Sequence, residues 1–75
     1  MIQGNAVHRN TQVGIRATLA VVKDNGVKQN GSFGFSGNSS ALSGNDFYNN
    51  NSFGDQISGG VEIGENLCDG SLTCP

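Results

Sequence analysis

The chain has 75 residues, of which 35% are hydrophobic and twelve are glycine, and its four Lys/Arg and six Asp/Glu give a net charge of −2. This length allows one small domain, and the acidic balance gives no basis for nucleic-acid binding. No apolar segment is long enough to span a membrane, and Met1 is not followed by a signal-peptide pattern. We therefore expect neither nucleic acid nor membrane as a partner, and any export signal would lie upstream.

The first row of the sequence, residues 1–20, predicts three short strands in chain order. They are expected near Ile2, near Val7 and from Val13 to Ala17, and Asn5 and Asn10 mark turns between them. The same pattern returns in rows 21–40, 41–60 and 61–75. Helix pairs would need a longer period, and a leucine-rich repeat would need regularly spaced leucines.

The rows align in columns of like residues. Two columns hold Asn, namely Asn5, Asn25 and Asn45, and Asn10, Asn30 and Asn50. One column holds Gly14, Gly34 and Gly54. Three columns are apolar: Ile2, Val22 and Leu42; Val7, Val27 and Phe47; and Val13, Phe33 and Phe53. One inserted residue near Gly64 brings Asn66 into the first Asn column and Cys68 beneath Phe47. Such a fixed period indicates units that bury their apolar faces only against their neighbours.

We therefore predict an all-β fold, a right-handed parallel β-helix of three to four coils of about 20 residues, forming one module over residues 1–75. Stacked coils lie about 4.8 Å apart, so residues of one column are direct neighbours. Asn carries both donor and acceptor groups, which predicts two hydrogen-bonded ladders along the axis. Asn also tolerates the left-handed backbone of a sharp turn.

The two cysteines fall in inward columns of the last row. A disulfide between Cys68 and Cys74 would cap the C-terminal coil, and it indicates an oxidising compartment, hence an extracellular or cell-surface location. The alternative is a pair of free thiols with a redox or metal role, for which the chain offers neither a CxxC motif nor a nearby His.

The pattern I-x-G-N-x-V-x-x-N-x-x-x-G-I runs from Ile2 to Ile15, recurs from Val22 to Phe35 and returns more loosely from Leu42. It resembles the repeat of bacterial right-handed parallel β-helix proteins, the pectate-lyase-like superfamily, and residues 64–75 resemble the C-terminal tail of such proteins. The resemblance implies the fold but not an activity, because this superfamily includes lyases, hydrolases, epimerases, adhesins and non-catalytic stalks.

The outward-facing residues show no catalytic or metal-binding arrangement, and no cofactor is predicted. One outward column contains His8, Lys28, Tyr48 and Asp69, which we interpret as a solvated row of polar residues rather than acid–base machinery. A second face has one Arg but lacks the carboxylates of a calcium site; it holds Gln12, Arg16, Ser32, Ser36, Ser52 and Gln56.

Asp55 falls in the inward column of Ile15 and Phe35, where a carboxylate is not expected. Two explanations remain open. Either the third coil bulges and Ile57 takes the core position, or Asp55 faces water.

Charge is distributed unevenly along the chain. The first two rows hold Arg9, Arg16, Lys23 and Lys28, with only Asp24 to oppose them, and the last two hold Asp46, Asp55, Glu62, Glu65 and Asp69. The coils would thus have a basic and an acidic end, which favours head-to-tail stacking of copies.

The first coil has no cap, which predicts an association surface formed by Ile2, Val7, Val13 and Ile15. We expect a non-catalytic structural or interaction module that binds itself, in head-to-tail fibres or two-fold pairs, or binds upstream coils of a parent protein. The alternative is the C-terminal fragment of a secreted polysaccharide lyase or hydrolase. A polysaccharide partner is a further possibility, although only Tyr48 is expected as an exposed aromatic residue.

Overall fold

The computed structural model describes residues 1–74, so Pro75, the last residue of the predicted module, lies outside the described residues. Its strands are β1 (Ile2–Gln3), β2 (Ala6–His8), β3 (Ile15–Thr18), β4 (Val21–Lys23), β5 (Gly26–Lys28), β6 (Phe35–Asn38), β7 (Ala41–Ser43), β8 (Asp46–Tyr48), β9 (Ile57–Ser58), β10 (Val61–Glu62) and β11 (Leu67–Cys68). A 3₁₀ turn covers Asn51–Phe53. Within the described chain, no helix has the length and hydrophobicity needed to cross a membrane.

Each strand pairs in parallel with the equivalent strand of the next coil. The resulting sheets have the orders β1-β4-β7-β10, β2-β5-β8-β11 and β3-β6-β9, so three complete coils and a partial fourth stack along one axis. The predicted parallel β-solenoid is confirmed. The solenoid forms because short strands separated by sharp turns bring the chain, after each repeat, back to a position directly beside its starting point and one coil further along the axis.

The sheet registers coincide with the apolar columns of the sequence. Val7 pairs with Val27, and Phe47 then pairs with Cys68, which confirms the inserted residue before Asn66. The side chains of Val22, Val27, Phe35, Leu42 and Phe47 are completely buried. The core therefore lies inside the second and third coils, where coils on both sides cover it.

The third coil departs from the repeat. Phe35 pairs with Ile57, two positions later than the repeat places its partner, whereas Ala41 pairs with Val61 in the expected register. Both explanations offered for Asp55 hold together. The third coil bulges so that Ile57 takes the core-facing position, and Asp55 is exposed to water. The displaced Phe53 is also exposed, at 57%, so its prediction as a core residue is wrong.

Two glycines shorten the return from β9 to β10. Gly59 and Gly60 both adopt left-handed backbone, with φ of 78° and 79°. Glycine adopts this conformation without the steric penalty that a Cβ brings. The two residues gained before β9 are thereby lost after it, and the fourth coil begins in register.

The sharp turns lie one residue before the positions predicted for them. Gly4, Asp24 and Gly44 have φ of 70°, 56° and 66°, and each directly precedes an Asn of the first ladder. None of the ladder Asn has positive φ, so their role is to form hydrogen bonds and not to supply left-handed backbone.

Candidate functional site

The first asparagine ladder runs through all four coils with a single polarity. The backbone nitrogen and Nδ2 of Asn5 both donate to Oδ1 of Asn25, at 2.9 and 3.1 Å. Asn25 donates in the same way to Asn45, at 3.1 and 3.0 Å, and Asn45 to Asn66, at 3.1 and 2.9 Å. Every coil therefore presents donors towards the C-terminal end and an acceptor towards the N-terminal end.

Each internal Asn also bonds to a main-chain carbonyl of the preceding coil. Nδ2 of Asn25 donates to the carbonyl of Ile2 at 3.0 Å, and Nδ2 of Asn45 donates to that of Val22 at 2.9 Å. Asn25 and Asn45 are each 2% exposed, and no buried side-chain polar atom of the described residues lacks a partner. Because these amides are desolvated, the ladder stabilises the fold only while it stays complete.

The second ladder has the same polarity but ends within the third coil. Asn10 donates to Oδ1 of Asn30, and Asn30 donates to Oδ1 of Asn50. Asn50 then donates from its backbone nitrogen, at 3.0 Å, and from Nδ2, at 2.8 Å, to Oε1 of Gln56. A residue of the same coil thus takes the place of the next Asn.

Gln56 is a residue that sequence reasoning placed incorrectly. The sequence predicts an outward strand face for it, yet it is 1% exposed and its Nε2 donates to the carbonyls of Asn50 and Gly54 at 2.6 and 2.8 Å. The shift of the third coil turns it inward. A sequence alignment that sets Ile57 beneath Phe35 puts Gln56 beneath Gly34 and so predicts its inward position.

The first coil leaves the ladders open. Asn5 and Asn10 are exposed, and no described residue donates to Oδ1 of either. Without a preceding coil to bond, Nδ2 of Asn5 turns to the carbonyl of Gln3, at 3.2 Å.

Backbone groups are open at the same end. In the second coil, Gly26 and Gly31 donate their N–H groups to the carbonyls of Asn5 and Asn10, both at 2.8 Å. Ala6 pairs with Gly26 in the sheet, and Thr11 precedes Gly31 by one repeat. The N–H groups of Ala6 and Thr11 therefore point towards the place of a preceding coil.

The apolar residues assigned to the association surface differ in exposure. Ile2, Val7 and Val13 are half-buried, so each offers apolar surface to a partner. Ile15 is only 6% exposed and already belongs to the core, so it adds little to that surface.

The opposite end of the solenoid is closed. The structure contains the predicted disulfide between Cys68 and Cys74, with a Cα–Cα distance of 5.3 Å, and Cys68 is 4% exposed beneath Phe47. Ser71 and Cys68 exchange two backbone hydrogen bonds, at 2.8 and 3.1 Å. The last segment therefore folds back on itself rather than continuing the coil.

The outward polar column is assembled as expected, and two of its members have polar partners. Lys28 forms a half-exposed ion pair with Asp46 at 3.3 Å, and Oδ1 of Asp69 accepts from the backbone nitrogen of Asn49 at 2.8 Å. In residues 1–74, no group of three His, Cys, Asp or Glu side chains is placed to hold a metal ion.

A shallow groove runs along the turns that precede the second ladder. It is lined by Arg9, Asn10, Gln29, Asn30, Gly31, Asn49 and Ser52. Two exposed aromatic residues lie beside it: Tyr48 and Phe53 meet edge to face with ring centroids 5.7 Å apart. Only Tyr48 was expected there.

Comparisons with protein-family models, with curated proteins and with solved structures found no match to this chain.

Proposed function

We propose that this chain is a non-catalytic β-solenoid module that associates through its first coil. The observation that carries the proposal is the contrast between the two ends. Asn5 and Asn10 leave acceptors open at the first coil, whereas Gln56 closes the second ladder in the third coil and the disulfide of Cys68 and Cys74 closes the last coil.

Sheet edges of this kind favour association. Unpaired N–H and C=O groups beside half-buried apolar side chains form a template for a further strand, because pairing satisfies the backbone and removes apolar surface from water. Ile2 and Val7 supply the apolar part of this edge.

Charge supports head-to-tail contact as one form of association. The cations Arg9, Arg16, Lys23 and Lys28 lie in the first two coils, and Lys28 is paired with Asp46. Glu62 and Glu65 lie in the last coil. An attraction between these ends would weaken with salt, since exposed charges are screened over about 8 Å at physiological ionic strength.

The proposal also includes a superfamily and a location. The repeat resembles that of the pectate-lyase-like superfamily of bacterial β-helix proteins, and we propose that the chain belongs to this superfamily. The disulfide supports an extracellular or cell-surface location, because such bonds persist in oxidising compartments.

Sedimentation velocity over a concentration series, at low and at high salt, tests the proposal. We expect the average sedimentation coefficient to rise with concentration, and a salt-sensitive rise favours head-to-tail contact over two-fold pairing. A folded monomer whose sedimentation coefficient is independent of concentration would overturn the proposal.

The alternative is that these coils end a secreted polysaccharide lyase or hydrolase. The exposed Tyr48–Phe53 pair beside the polar groove favours it, since aromatic rings commonly stack on sugars. Cosedimentation of the chain with an insoluble polysaccharide tests the contact. Binding that is lost in Tyr48→Ala but kept in the outward-facing control Thr18→Ala would support a polysaccharide partner for this surface, which the lyase or hydrolase alternative shares with a non-catalytic binding surface.

A further inference from the structure

The hydrogen-bonding groups of the first coil specify what can bind there. We propose that the first coil binds one further parallel β-coil that carries Asn at both ladder positions. This inference rests on the proposed function and names the partner of the same surface.

The polarity of the ladders is the first argument. Every Asn of a preceding coil donates twice, from its backbone nitrogen and from Nδ2, to the Oδ1 below it. The open Oδ1 atoms of Asn5 and Asn10 require such donors. A coil with Asn at both positions supplies all four donors at the 20-residue spacing that the ladders already show.

The backbone gives the second argument. Carbonyls of an added coil would accept from the N–H groups of Ala6 and Thr11, as those of Asn5 and Asn10 accept from Gly26 and Gly31. Nδ2 of Asn5 would then exchange its bond to Gln3 for a carbonyl of the new coil, as Nδ2 of Asn25 does with Ile2. One coil thus satisfies the donors as well as the acceptors of this end.

The last coil of a second copy matches only part of this pattern. It offers Asn66 to the first ladder, but the donors of Asn50 are already bound by Gln56. In the fourth coil, Ser71 lies in the column of Asn50, but its N–H is already bonded to the carbonyl of Cys68. Head-to-tail contact therefore leaves Asn10 without a donor.

A two-fold pair of first coils matches still less. Both copies would present the same open groups, and neither would present the donors that a ladder Oδ1 receives, because the backbone nitrogen and Nδ2 of Asn5 and Asn10 already donate to the second coil. The chain thus accepts an Asn-bearing coil at one end and offers no complete ladder at the other.

The test adds such a coil to the complete chain. The probe is a second copy of residues 21–40 placed directly before Met1. Ser40 of this copy then precedes Met1 as Ser40 precedes Ala41 in the chain, and Met1 and Ala41 lie in the same column as Val21. The control carries Asn25→Ala and Asn30→Ala in the added copy only.

Hydrogen exchange at the amides of Ala6 and Thr11 is the readout, with the denaturation midpoint as a second measure. We expect exchange at both amides to slow by at least roughly ten-fold in the fusion, with a higher midpoint. The control keeps the two backbone donors and lacks the two Nδ2 donors, so its gain in midpoint should be clearly smaller than that of the fusion.

Two results would overturn the proposal. One is an equal gain in both fusions, which would show that the Asn donors are not what the first coil requires. The other is equal slowing at Ala6 and Thr11 in the unfused chain at high concentration, which would identify a second copy as the partner. Failure of the proposed function, a monomer at every concentration, is measured separately on the unfused chain.

Discussion

Gln56 places Oε1 within 3.0 Å of the backbone nitrogen and 2.8 Å of Nδ2 of Asn50, where the following coil would otherwise supply an Asn. A ladder whose donors all point one way needs an acceptor at its last member, because buried unbonded amides are costly. The chain provides this acceptor from the same coil. The second ladder is therefore closed towards the C-terminus and open at Asn10.

Replacing Gln56 with Ala tests this closure. The change removes the acceptor of two buried donors of Asn50, and we expect a loss in the free energy of unfolding of at least about 1–3 kcal/mol. Urea denaturation followed by circular dichroism measures it. Gln12→Ala is the matched control, since Gln12 is exposed, and it should change stability by less than about 0.5 kcal/mol. Equal effects of the two changes would refute the closing role.

The ladder itself is tested by Asn25→Ala against Asn38→Ala. Asn25 bonds through its side chain to Asn5, Asn45 and the carbonyl of Ile2, whereas Asn38 is exposed. Loss of the Asn25 side chain removes the acceptor of both donors of Asn5, one of the two donors to Oδ1 of Asn45 and the donor to Ile2, and it should cost about 1–3 kcal/mol more than loss of Asn38. Coinciding denaturation midpoints would contradict the ladder.

The shortened turn after β9 depends on glycine. Gly59 has φ of 78°, and a Cβ there would overlap the carbonyl oxygen of Gly37. We expect Gly59→Ala to destabilise the chain by more than about 2 kcal/mol, from backbone strain and steric overlap together. In Gly26→Ala the new methyl group meets no atom within 4 Å, and stability should stay within about 1 kcal/mol. Thermal melts of both variants compare them, and a Gly59→Ala melt like that of the unsubstituted chain would count against the described turn.

The disulfide should stabilise the last coil. Cys68 and Cys74 close a short loop, for which the loop-closure model gives about 2–3 kcal/mol. Reduction and alkylation should therefore lower the melting temperature without abolishing the ladders of the first three coils. Intact mass after alkylation checks the bond, and two alkylated thiols in unreduced folded protein would exclude it.

Most of the fold follows from the sequence because the repeat aligns residues that become neighbours. Asn25 lies directly above Asn45, and Val27 above Phe47, as the columns predict. In a solenoid, a contact between coils is a fixed offset in sequence, so periodicity alone gives the register.

The sequence does not predict the features that break the period. The columns predict Phe53 inside and Gln56 outside, and the structure reverses both because the third coil gains two residues before β9. The glycine pair after β9 restores the register, so the total length of the coil conceals the shift. The closure of the second ladder depends on this shift and was missed for the same reason.

Sedimentation velocity of end-specific variants tests the central claim, that the chain associates through its first coil. Ala6→Pro removes an N–H group that points out of the first coil, at the start of an edge strand where Pro is tolerated. The control Asn38→Lys adds charge at an exposed site of the second coil, away from both ends. At concentrations where the unsubstituted chain associates, we expect Ala6→Pro to sediment as a folded monomer and Asn38→Lys to associate as before. Association that survives in Ala6→Pro would contradict the claim.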